Sequence, residues 1–197
     1  MTKTMYLVRH GQTRFNLKHI VQGRCDSPLT EQGIAQAKAT RDYFRKENIS
    51  FDLAFTSTQE RACDTLEIIT DQKMPYKRLK DLRERDYGIC EGERQYFLPW
   101  NSGRPEEPTM ETVPDLLKRV NKAFRKIAEE IPDGQTALIV AHGEMLRRSV
   151  NDLTNLGLEH WGNCGVVKVT YEDGKFSASK LVEPAKEVNI PSMITFV

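Results

Sequence analysis

The sequence predicts an α/β fold, a three-layer sandwich in which a mostly parallel sheet is flanked by helices and ends in a C-terminal antiparallel hairpin. Short apolar runs alternate with longer segments of helical periodicity, which is the pattern of βαβ units. Two of the apolar runs, residues 3–9 and 136–141, are each followed directly by His-Gly. Near the C-terminus, two further runs flank Glu-Asp-Gly-Lys, a strong hairpin turn.

The first half of the chain supplies three strands and two helices. Thr30 is placed to cap the first helix, with Glu31 in its first turn, and Ser57 or Thr58 is placed to cap the second. The inner stripe of the first helix is predicted to consist of Ile34, Ala37, Arg41 and Phe44. The predicted elements, in order, are a strand at 3–9, a loop at 11–29 with a helical turn at 15–18, a helix to about residue 47, a strand at 52–56, a helix to about residue 70 and a strand at 76–79.

Residues 80–113 are irregular and too long for an ordinary connector. Long loops in compact domains tend to be lids or binding elements, so residues 93–113 are predicted to form a lid-like insertion over an active site. Its aromatic residues either plug the lid against the core or form a wall that faces a substrate: Tyr96, Phe97 and Trp100.

The remaining elements complete the sandwich. Pro114 fits the first turn of a long helix. The inner stripe of that helix is predicted to be Leu117, Val120, Phe124, Ile127 and Ile131. A strand at 136–141, a helix at 144–154 and hairpin strands at 166–171 and 176–182 follow.

Composition indicates a single cytoplasmic domain over residues 1–197. The chain is 39% hydrophobic, which is enough for one core. Its 29 basic and 28 acidic residues give a net charge of +1, which argues against bulk binding to nucleic acid or a membrane surface. No apolar run reaches the roughly 18 residues of a membrane span, and no export signal is predicted. The cysteines lack C-x-x-C spacing and are expected to be reduced: Cys25, Cys63, Cys90 and Cys164.

Four short segments carry the residues that can do chemistry. In order along the chain, they are Arg9-His10-Gly11, a helix start with Arg61, a charged run with Glu84, and His142-Gly143. Three of these segments follow predicted strands. Because the carboxyl ends of parallel strands meet at the sheet edge where ligands bind, we expect their side chains to converge on one pocket.

Two arginines, two histidines and a carboxylate fit a phosphoryl group best. Arginine forks bind phosphate oxygens bidentately, and their charge keeps neighbouring histidines neutral and nucleophilic. A neutral imidazole can attack phosphorus while a carboxylic acid protonates the leaving oxygen. A zinc site of His10, His142 and Glu84 is the alternative, and the flanking arginines argue against it because they repel a dication. The sequence therefore predicts neither a metal ion nor a cofactor.

The motifs have a characteristic order and spacing. The chain shows Arg-His-Gly-x-Thr-x-x-Asn from residue 9, Ser-x-x-x-Arg-Ala from residue 57, Leu-x-Glu-x-x-x-Gly-x-x-Glu-Gly from residue 82, and His-Gly at residue 142. Together they resemble the histidine phosphatase (phosphoglycerate mutase-like) superfamily, over about residues 5–185. The segment Leu-Thr-Glu-x-Gly-x-x-Gln-Ala from residue 29 also resembles the first helix of that family. The resemblance implies a phosphoglycerate mutase-like fold.

The resemblance also implies roles. His10 would be the nucleophile that becomes phosphohistidine, and Glu84 would protonate the leaving group and then activate water. Arg9, Arg61 and His142 would bind the phosphoryl oxygens. The other implied substrate contacts are Thr13, Asn16, Gln22, Gly23, Tyr87 and Gly143.

Some residues near the motifs have a less specific interpretation. Glu84 lies between charged residues, so a salt-bridged surface position is its alternative. Glu91 is expected to support its loop rather than do chemistry. His19 and His160 belong to no motif and are expected to be surface or packing residues.

The predicted activity is phosphomonoester hydrolysis of a small phosphorylated metabolite. Cofactor-dependent phosphoglycerate mutase is the alternative enzyme, because Glu84 to Gly88 resembles the mutase version of the motif, whereas the residues after it lack a basic insertion. The phosphatase motif Gly-Glu-Ser is half matched by Met-Glu-Thr at 110–112. A non-catalytic phospho-ligand binding module is a third reading. A homodimer is compatible with the sequence.

Overall fold

One mixed six-stranded sheet organises residues 1–105 and 107–189, the part of the chain that the computed structural model describes. Its strands are β1 Lys3–Arg9, β2 Leu53–Ser57, β3 Lys77–Leu79, β4 Thr136–Ala141, β5 Val166–Glu172 and β6 Lys175–Ala178. The spatial order is β3-β2-β4-β1-β5-β6. The first four strands pair in parallel, whereas β5 is antiparallel to β1 and β6 is antiparallel to β5. The predicted fold class is confirmed.

Helices cover both faces of this sheet. They are α1 Arg14–Leu17, α2 Glu31–Lys46, α3 Glu60–Ile69, α4 Pro99–Ser102, α5 Val113–Glu130 and α6 Gly143–Thr154. Successive side chains of a strand point to opposite faces. Met5 and Leu7 of β1 therefore pack with the buried residues of α5 and α6, whereas Tyr6 and Val8 pack with those of α2 and α3. The result is three layers with a core on each side of the sheet.

The register of β1 and β4 sets the position of the two His-Gly motifs. Arg9 lies opposite Ala141, and each of these residues ends its strand. The residue that follows each strand is a histidine. The backbone N–H of His10 donates to the carbonyl of Ala141 over 2.9 Å. The two histidines consequently leave the sheet side by side at its carboxyl edge.

The inner stripes of two helices differ from the prediction by one position. Ile34 of α2 is 37% exposed, and Gly33 is buried in its place. A Cβ atom at Gly33 would lie 2.1 Å from the carbonyl oxygen of Gln12, so this glycine lets α2 approach the loop after β1 and turns Ile34 outward. In α5, Leu116 is fully buried and Leu117 only partly. Residues four positions apart share a helix face, so the buried face that holds Val120 and Phe124 includes Leu116.

The start of α3 and the end of the hairpin also differ. Gln59 is the N-cap of α3 and makes no side-chain cap hydrogen bond, so neither predicted cap, Ser57 or Thr58, is used. The carboxylate of Asp26 instead accepts from the backbone N–H of Glu60, which supplies the cap from a distant loop. Strand β6 ends at Ala178, earlier than predicted, and Val182 rejoins the sheet as a single bridge to Val166.

Residues 80–113 are ordered by short turns and a small apolar cluster. Three 3₁₀ turns and α4 lie in this segment, of which residue 106 is outside the described residues. Leu98, Cys90 and Met110 are buried against Val21 of the loop after β1. The segment predicted as a lid is therefore anchored beside the carboxyl edge of the sheet. Among the described residues, no helix is long and apolar enough to cross a membrane.

Candidate active site

A cavity of about 230 Å³ opens at the carboxyl edge of the sheet, where β1 and β4 end. The side chains of Arg9, His10, Arg61 and Glu84 line it. The convergence of parallel strand ends predicts the first three of these, whereas Glu84 comes from a segment outside that prediction. Each comes from a different place in the chain: the end of β1, the loop after it, the first turn of α3 and the segment before α5.

The imidazole of His10 is held in one orientation. Its Nδ1 lies 2.7 Å from the carbonyl oxygen of Gly11, and the ring is 3% exposed. Because a carbonyl only accepts, Nδ1 carries the proton and Nε2 keeps its lone pair. Burial lowers the pKa of His10 well below its usual range, and the charges of Arg61 and Arg9 lower it further. The arrangement presents a neutral imidazole, with its Nε2 lone pair available, to the cavity.

His142 lies next to His10 but does not itself line the cavity. The two ring centroids are 5.3 Å apart, and His142 is fully buried. Neither of its ring nitrogens has a hydrogen-bond partner among the described residues. Burial, Arg61 and His10 lower its pKa well below the usual range. An unsatisfied buried polar atom is costly, so this ring is suited to hydrogen-bond a bound ligand.

The two arginines are fixed by backbone carbonyls. Arg61 donates from Nη1 to the carbonyl of Cys25 at 2.8 Å and to Asp26 Oδ1 at 3.0 Å, and from Nη2 to the carbonyl of Gly23 at 2.9 Å. Arg9 donates from Nη1 to the carbonyl of Trp161 at 2.6 Å. The Nε atoms of both arginines are buried without a partner in the described part of the chain. Both guanidinium groups are thereby preorganised, with donors left over for an anion.

The carboxyl of Glu84 is buried beside the first residues of α6. The alternative prediction, a salt-bridged position on the surface, is therefore wrong. Its Oε1 accepts from the backbone N–H groups of Arg85 at 2.9 Å and Met145 at 3.0 Å, and its Oε2 accepts from that of Glu144 at 3.2 Å. Glu84 is 8% exposed. Burial raises its pKa and outweighs the opposing hydrogen bonds from the backbone. A carboxyl of this kind can hold a proton in the cavity wall.

The loop after α1 brings further predicted residues to the cavity. Gln22 and Gly23 of this loop line it, as does Asn16 of α1. Gly23 has a φ of +53°, and a Cβ atom there would lie 2.1 Å from Oε1 of Glu91. Thr13 is fully buried behind the wall, where its hydroxyl donates to Gln22 Oε1 over 2.9 Å. The structure therefore gives Thr13 a supporting position rather than a place in the wall.

Glu91 supports this loop. One of its carboxylate oxygens accepts from the backbone N–H groups of Arg24 at 2.7 Å and Tyr87 at 3.0 Å, and the other accepts from Cys25 at 3.0 Å. This carboxylate joins the loop after α1 to the segment after Glu84.

Tyr87 and Gly143 complete the predicted residues found in the wall. A Cβ atom at Gly143 would lie 3.0 Å from Nε of Arg9, so glycine allows the guanidinium to pass close to the start of α6. The ring of Tyr87 lies 6.1 Å from that of Trp100. Trp100 and Tyr96 are 51% and 70% exposed, so these lid aromatics neither plug the core nor line the cavity.

Sequence reasoning missed the outer part of the wall, which contains charges of both signs: Glu144, Arg147, Glu159 and His160. Arg147 donates to Glu144 over 2.8 Å, and Arg148 also pairs with that carboxylate. Glu144 and Arg147 follow His-Gly at helical spacing, which could have indicated them. No sequence signal marks Glu159 or His160. His160 is an exposed surface residue, as predicted, and it also lies at the cavity. No group of three or more metal-ligating side chains occurs in the described residues.

Residues 5–184 match the family model of the histidine phosphatase superfamily, branch 1. The chain belongs to this superfamily. A protein provisionally named phosphoserine phosphatase 2, from Hydrogenobacter thermophilus, is 34% identical over 192 residues, covering 88% of this chain and 92% of the relative. A 2,3-bisphosphoglycerate-dependent phosphoglycerate mutase from Brucella anthropi is 35% identical over 172 residues, covering 79% of this chain and 84% of the relative.

The fold agrees with this membership. A crystal structure of phosphoglycerate mutase from Bacillus anthracis superimposes with a TM-score of 0.84 and 26% identity, covering 91% of this chain and 92% of that one. The relatives thus carry the names of both phosphatases and mutases at the same level of identity. Membership shows an enzyme family of phosphatases and mutases without deciding between the two reactions.

Proposed function

We propose that this protein is a phosphomonoester hydrolase that acts through a phosphohistidine on a small phosphorylated metabolite. The observation that carries the proposal is the His10 ring, which is tethered at Nδ1, buried and neutral between two arginines in the wall of one cavity. Glu84 in the same wall supplies the proton that an alkyl leaving group needs.

The reaction proceeds in two steps. The Nε2 lone pair of His10 attacks phosphorus, the ester P–O bond breaks, and the proton of Glu84 goes to the leaving oxygen. In the second step the Glu84 carboxylate takes a proton from water, the water oxygen attacks phosphorus, and the P–N bond breaks. Phosphate leaves, and His10 regains its lone pair while Glu84 regains its proton. Arg9, Arg61 and His142 stabilise the charge on the phosphoryl oxygens throughout.

The charges of the cavity favour hydrolysis over phosphoglycerate mutation. A mutase must hold a bisphosphate, which calls for cations beyond those around the first phosphoryl group. The wall has one further arginine, Arg147, and it is accompanied by Glu144 and Glu159. The mutase alternative is supported by Tyr87 in the wall and by the mutase relatives.

The same outer wall favours a leaving group with charges of both signs. Arg147 suits a carboxylate, and it can leave Glu144 because Arg148 also pairs with that carboxylate. Glu159 suits an ammonium group. A phosphorylated amino acid carries both groups, and one relative is provisionally named a phosphoserine phosphatase.

Residues 93–113 serve as a lid in this proposal. Gln95 and Leu98 belong to the cavity wall, and Leu98 is held by the apolar cluster with Val21. The lid segment thus touches both the site and the loop that carries Gln22 and Gly23.

The decisive assay is hydrolysis of p-nitrophenyl phosphate in EDTA, with vanadate as inhibitor. We expect turnover in the chelator and tight inhibition, because five-coordinate vanadate resembles the transition state of phosphoryl transfer. His10→Ala should lose several powers of ten in rate while retaining weakened phosphate binding. Activity lost on chelation and restored by zinc or magnesium would contradict the site assignment. Turnover only with phosphoglycerate and a bisphosphate primer would establish the mutase.

The substrate class is tested by comparing O-phosphoserine with 3-phosphoglycerate, which differ by an ammonium in place of a hydroxyl. We expect a higher kcat/KM for phosphoserine. Glu159→Gln should reduce that preference by a factor of up to about 5, the upper range for an exposed ion pair, without changing aryl phosphate hydrolysis. Glu172→Gln on the distant hairpin is the matched control. An unchanged preference in Glu159→Gln would exclude this residue from substrate selection.

A further inference from the structure

Arg119 is a half-buried arginine on α5 that lies behind the segment with Glu84 rather than in the cavity wall. Its Nη1 donates to the backbone carbonyls of Asp81 at 2.9 Å and Arg83 at 2.8 Å. Its Nη2 donates to the carbonyl of Glu84 itself at 3.0 Å. One guanidinium group therefore binds three carbonyls within four residues of the chain.

Glu111 fixes the orientation of this guanidinium. Its Oε1 accepts from Arg119 Nε at 2.5 Å and its Oε2 from Nη2 at 2.8 Å, which is a bidentate pair. The backbone of Glu111 is also tied to the same segment, because its N–H donates to the carbonyl of Asp86 at 2.9 Å and its carbonyl accepts from Arg85 Nε at 2.8 Å.

The backbone of Glu84 is consequently held on both sides. Its N–H donates to Gln59 Oε1 over 2.9 Å, its carbonyl accepts from Arg119, and its side chain accepts from the first amides of α6. The side chain has several rotatable bonds, so its carboxyl position depends on where the backbone is held. A displacement of about 1 Å in a reacting group can cost on the order of 10²-fold in rate.

We propose that Arg119, oriented by Glu111, is a positioning residue for the proton donor Glu84. This inference rests on the proposed function for its catalytic consequence, and on the hydrogen bonds alone for its structural consequence. Arg119 does not line the cavity, and among the described residues its hydrogen bonds go to the segment with Glu84 and to Glu111 rather than to α6. Its removal should nevertheless loosen the Glu84 carboxyl and, through that carboxyl, the start of α6.

The structural arm of the test is hydrogen exchange. In Arg119→Met, the amides of Glu144 and Met145 should exchange faster, on the order of tenfold, which corresponds to loss of about one hydrogen bond. Lys118→Met removes the same charge from an exposed neighbour on α5 and should leave these amides unchanged. Unchanged exchange in a folded Arg119→Met protein would overturn the proposal, whatever the enzyme's activity.

The kinetic arm uses leaving groups. Arg119→Met should lose on the order of 10²-fold on an alkyl phosphate, which needs the proton, and only a few-fold on p-nitrophenyl phosphate. In a Glu84→Gln background, the further loss on the alkyl phosphate should be small, because the group being positioned is already absent. Equal losses on both substrates, or full additivity with Glu84→Gln, would overturn the positioning role.

Two further variants test the same role with less disturbance of the fold than Arg119→Met. Arg119→Lys keeps the charge but cannot span three carbonyls and a carboxylate, so it should show the same pattern in a protein closer to wild-type stability. Glu111→Gln should give a weaker form of that pattern. Inactivity of the wild-type enzyme on both substrates would refute the proposed function, and the exchange measurement would still decide the role of Arg119.

Discussion

The hydrogen bond from His10 Nδ1 to the Gly11 carbonyl determines which ring nitrogen can react. It fixes the tautomer and the ring plane at once, so the reactive nitrogen needs no partner in the resting enzyme. Arg9 and Arg61 then act on the same ring through their charge, because both disfavour imidazolium. A single backbone carbonyl and two guanidinium groups are enough to define the tautomer and charge of the proposed nucleophile.

Glu84→Gln should separate substrates by leaving group. The amide oxygen of glutamine can still accept from the Met145 N–H, but its NH2 group cannot accept from the Glu144 N–H and cannot donate an acidic proton. We expect a loss of about 10²–10⁴-fold on an alkyl phosphate and a much smaller loss on p-nitrophenyl phosphate, measured as kcat/KM. Asp86→Asn is the matched control, because Asp86 accepts from the backbone N–H of Gly88 and does not line the cavity. Equal losses on both substrates would instead indicate a structural role for Glu84.

Sequence patterns at the residue scale predicted the inner wall of the cavity and the supporting role of Glu91, but not the role of Arg119. His10, Arg61 and Glu84 belong to motifs whose residue types and spacing carry chemical meaning. Arg119 looks like any charged residue on a helix, since the carbonyls that it binds lie 35 to 38 positions earlier in the chain. Such contacts depend on how α5 packs, which no local pattern encodes.

At the scale of elements, Glu91 joins two loops that each contribute to the cavity. Glu91→Ala should lower the free energy of unfolding by about 1–3 kcal/mol, because backbone amides of both loops lose their acceptor. It should also raise KM, since the loop that carries Gln22 and Gly23 loses its link to the segment after Glu84. Denaturant unfolding and steady-state kinetics measure the two effects. Glu93→Ala, an exposed neighbour, serves as the control and should match wild type.

The limits of helices were predictable where local chemistry sets them. Thr30 caps α2 through a hydrogen bond from the Gly33 N–H, as its sequence context predicts. The start of α3 was not predictable, because its cap comes from Asp26, 34 positions earlier. Long-range caps carry no local signature.

At the scale of the whole molecule, the order of elements along the chain was predictable and the order of strands in space was not. Hydrophobic periodicity locates β1 and β4, whereas their adjacency depends on crossover connections. That adjacency is what places His10 beside His142. The repeated His-Gly after two strands was the available signal for it.

The buried histidines make global stability depend on pH. In the unfolded chain His10 takes up a proton near pH 6.5, whereas its folded pKa is well below that value. The unfolded state therefore binds more protons below about pH 6.5, and stability falls as pH falls from there towards the folded pKa. Each such histidine contributes up to about 1.4 kcal/mol per pH unit.

His10→Asn should reduce the pH dependence of the free energy of unfolding by the contribution of one histidine, because an amide does not titrate. The amide can still donate to the Gly11 carbonyl. Denaturant unfolding at pH 7.5, 6.5, 5.5 and 5.0 measures the slope for both proteins. His19→Asn is the matched control, since it makes the same substitution at an exposed histidine outside the cavity. A wild-type slope identical to that of His10→Asn would show that His10 protonates equally in both states.

The carboxyl of Glu84 accepts hydrogen bonds from three backbone N–H groups, two of which lie at the start of α6. In a lineage that no longer needs this activity, substitutions at His10 and at Glu84 would have different effects on folding. His10 could be replaced at little cost to folding, since its ring makes one tether. Substituting Glu84 by an apolar residue would strand those amides, so purifying selection for a folded protein alone would retain it. We expect inactive descendants of this chain to keep Glu84 long after they have lost His10.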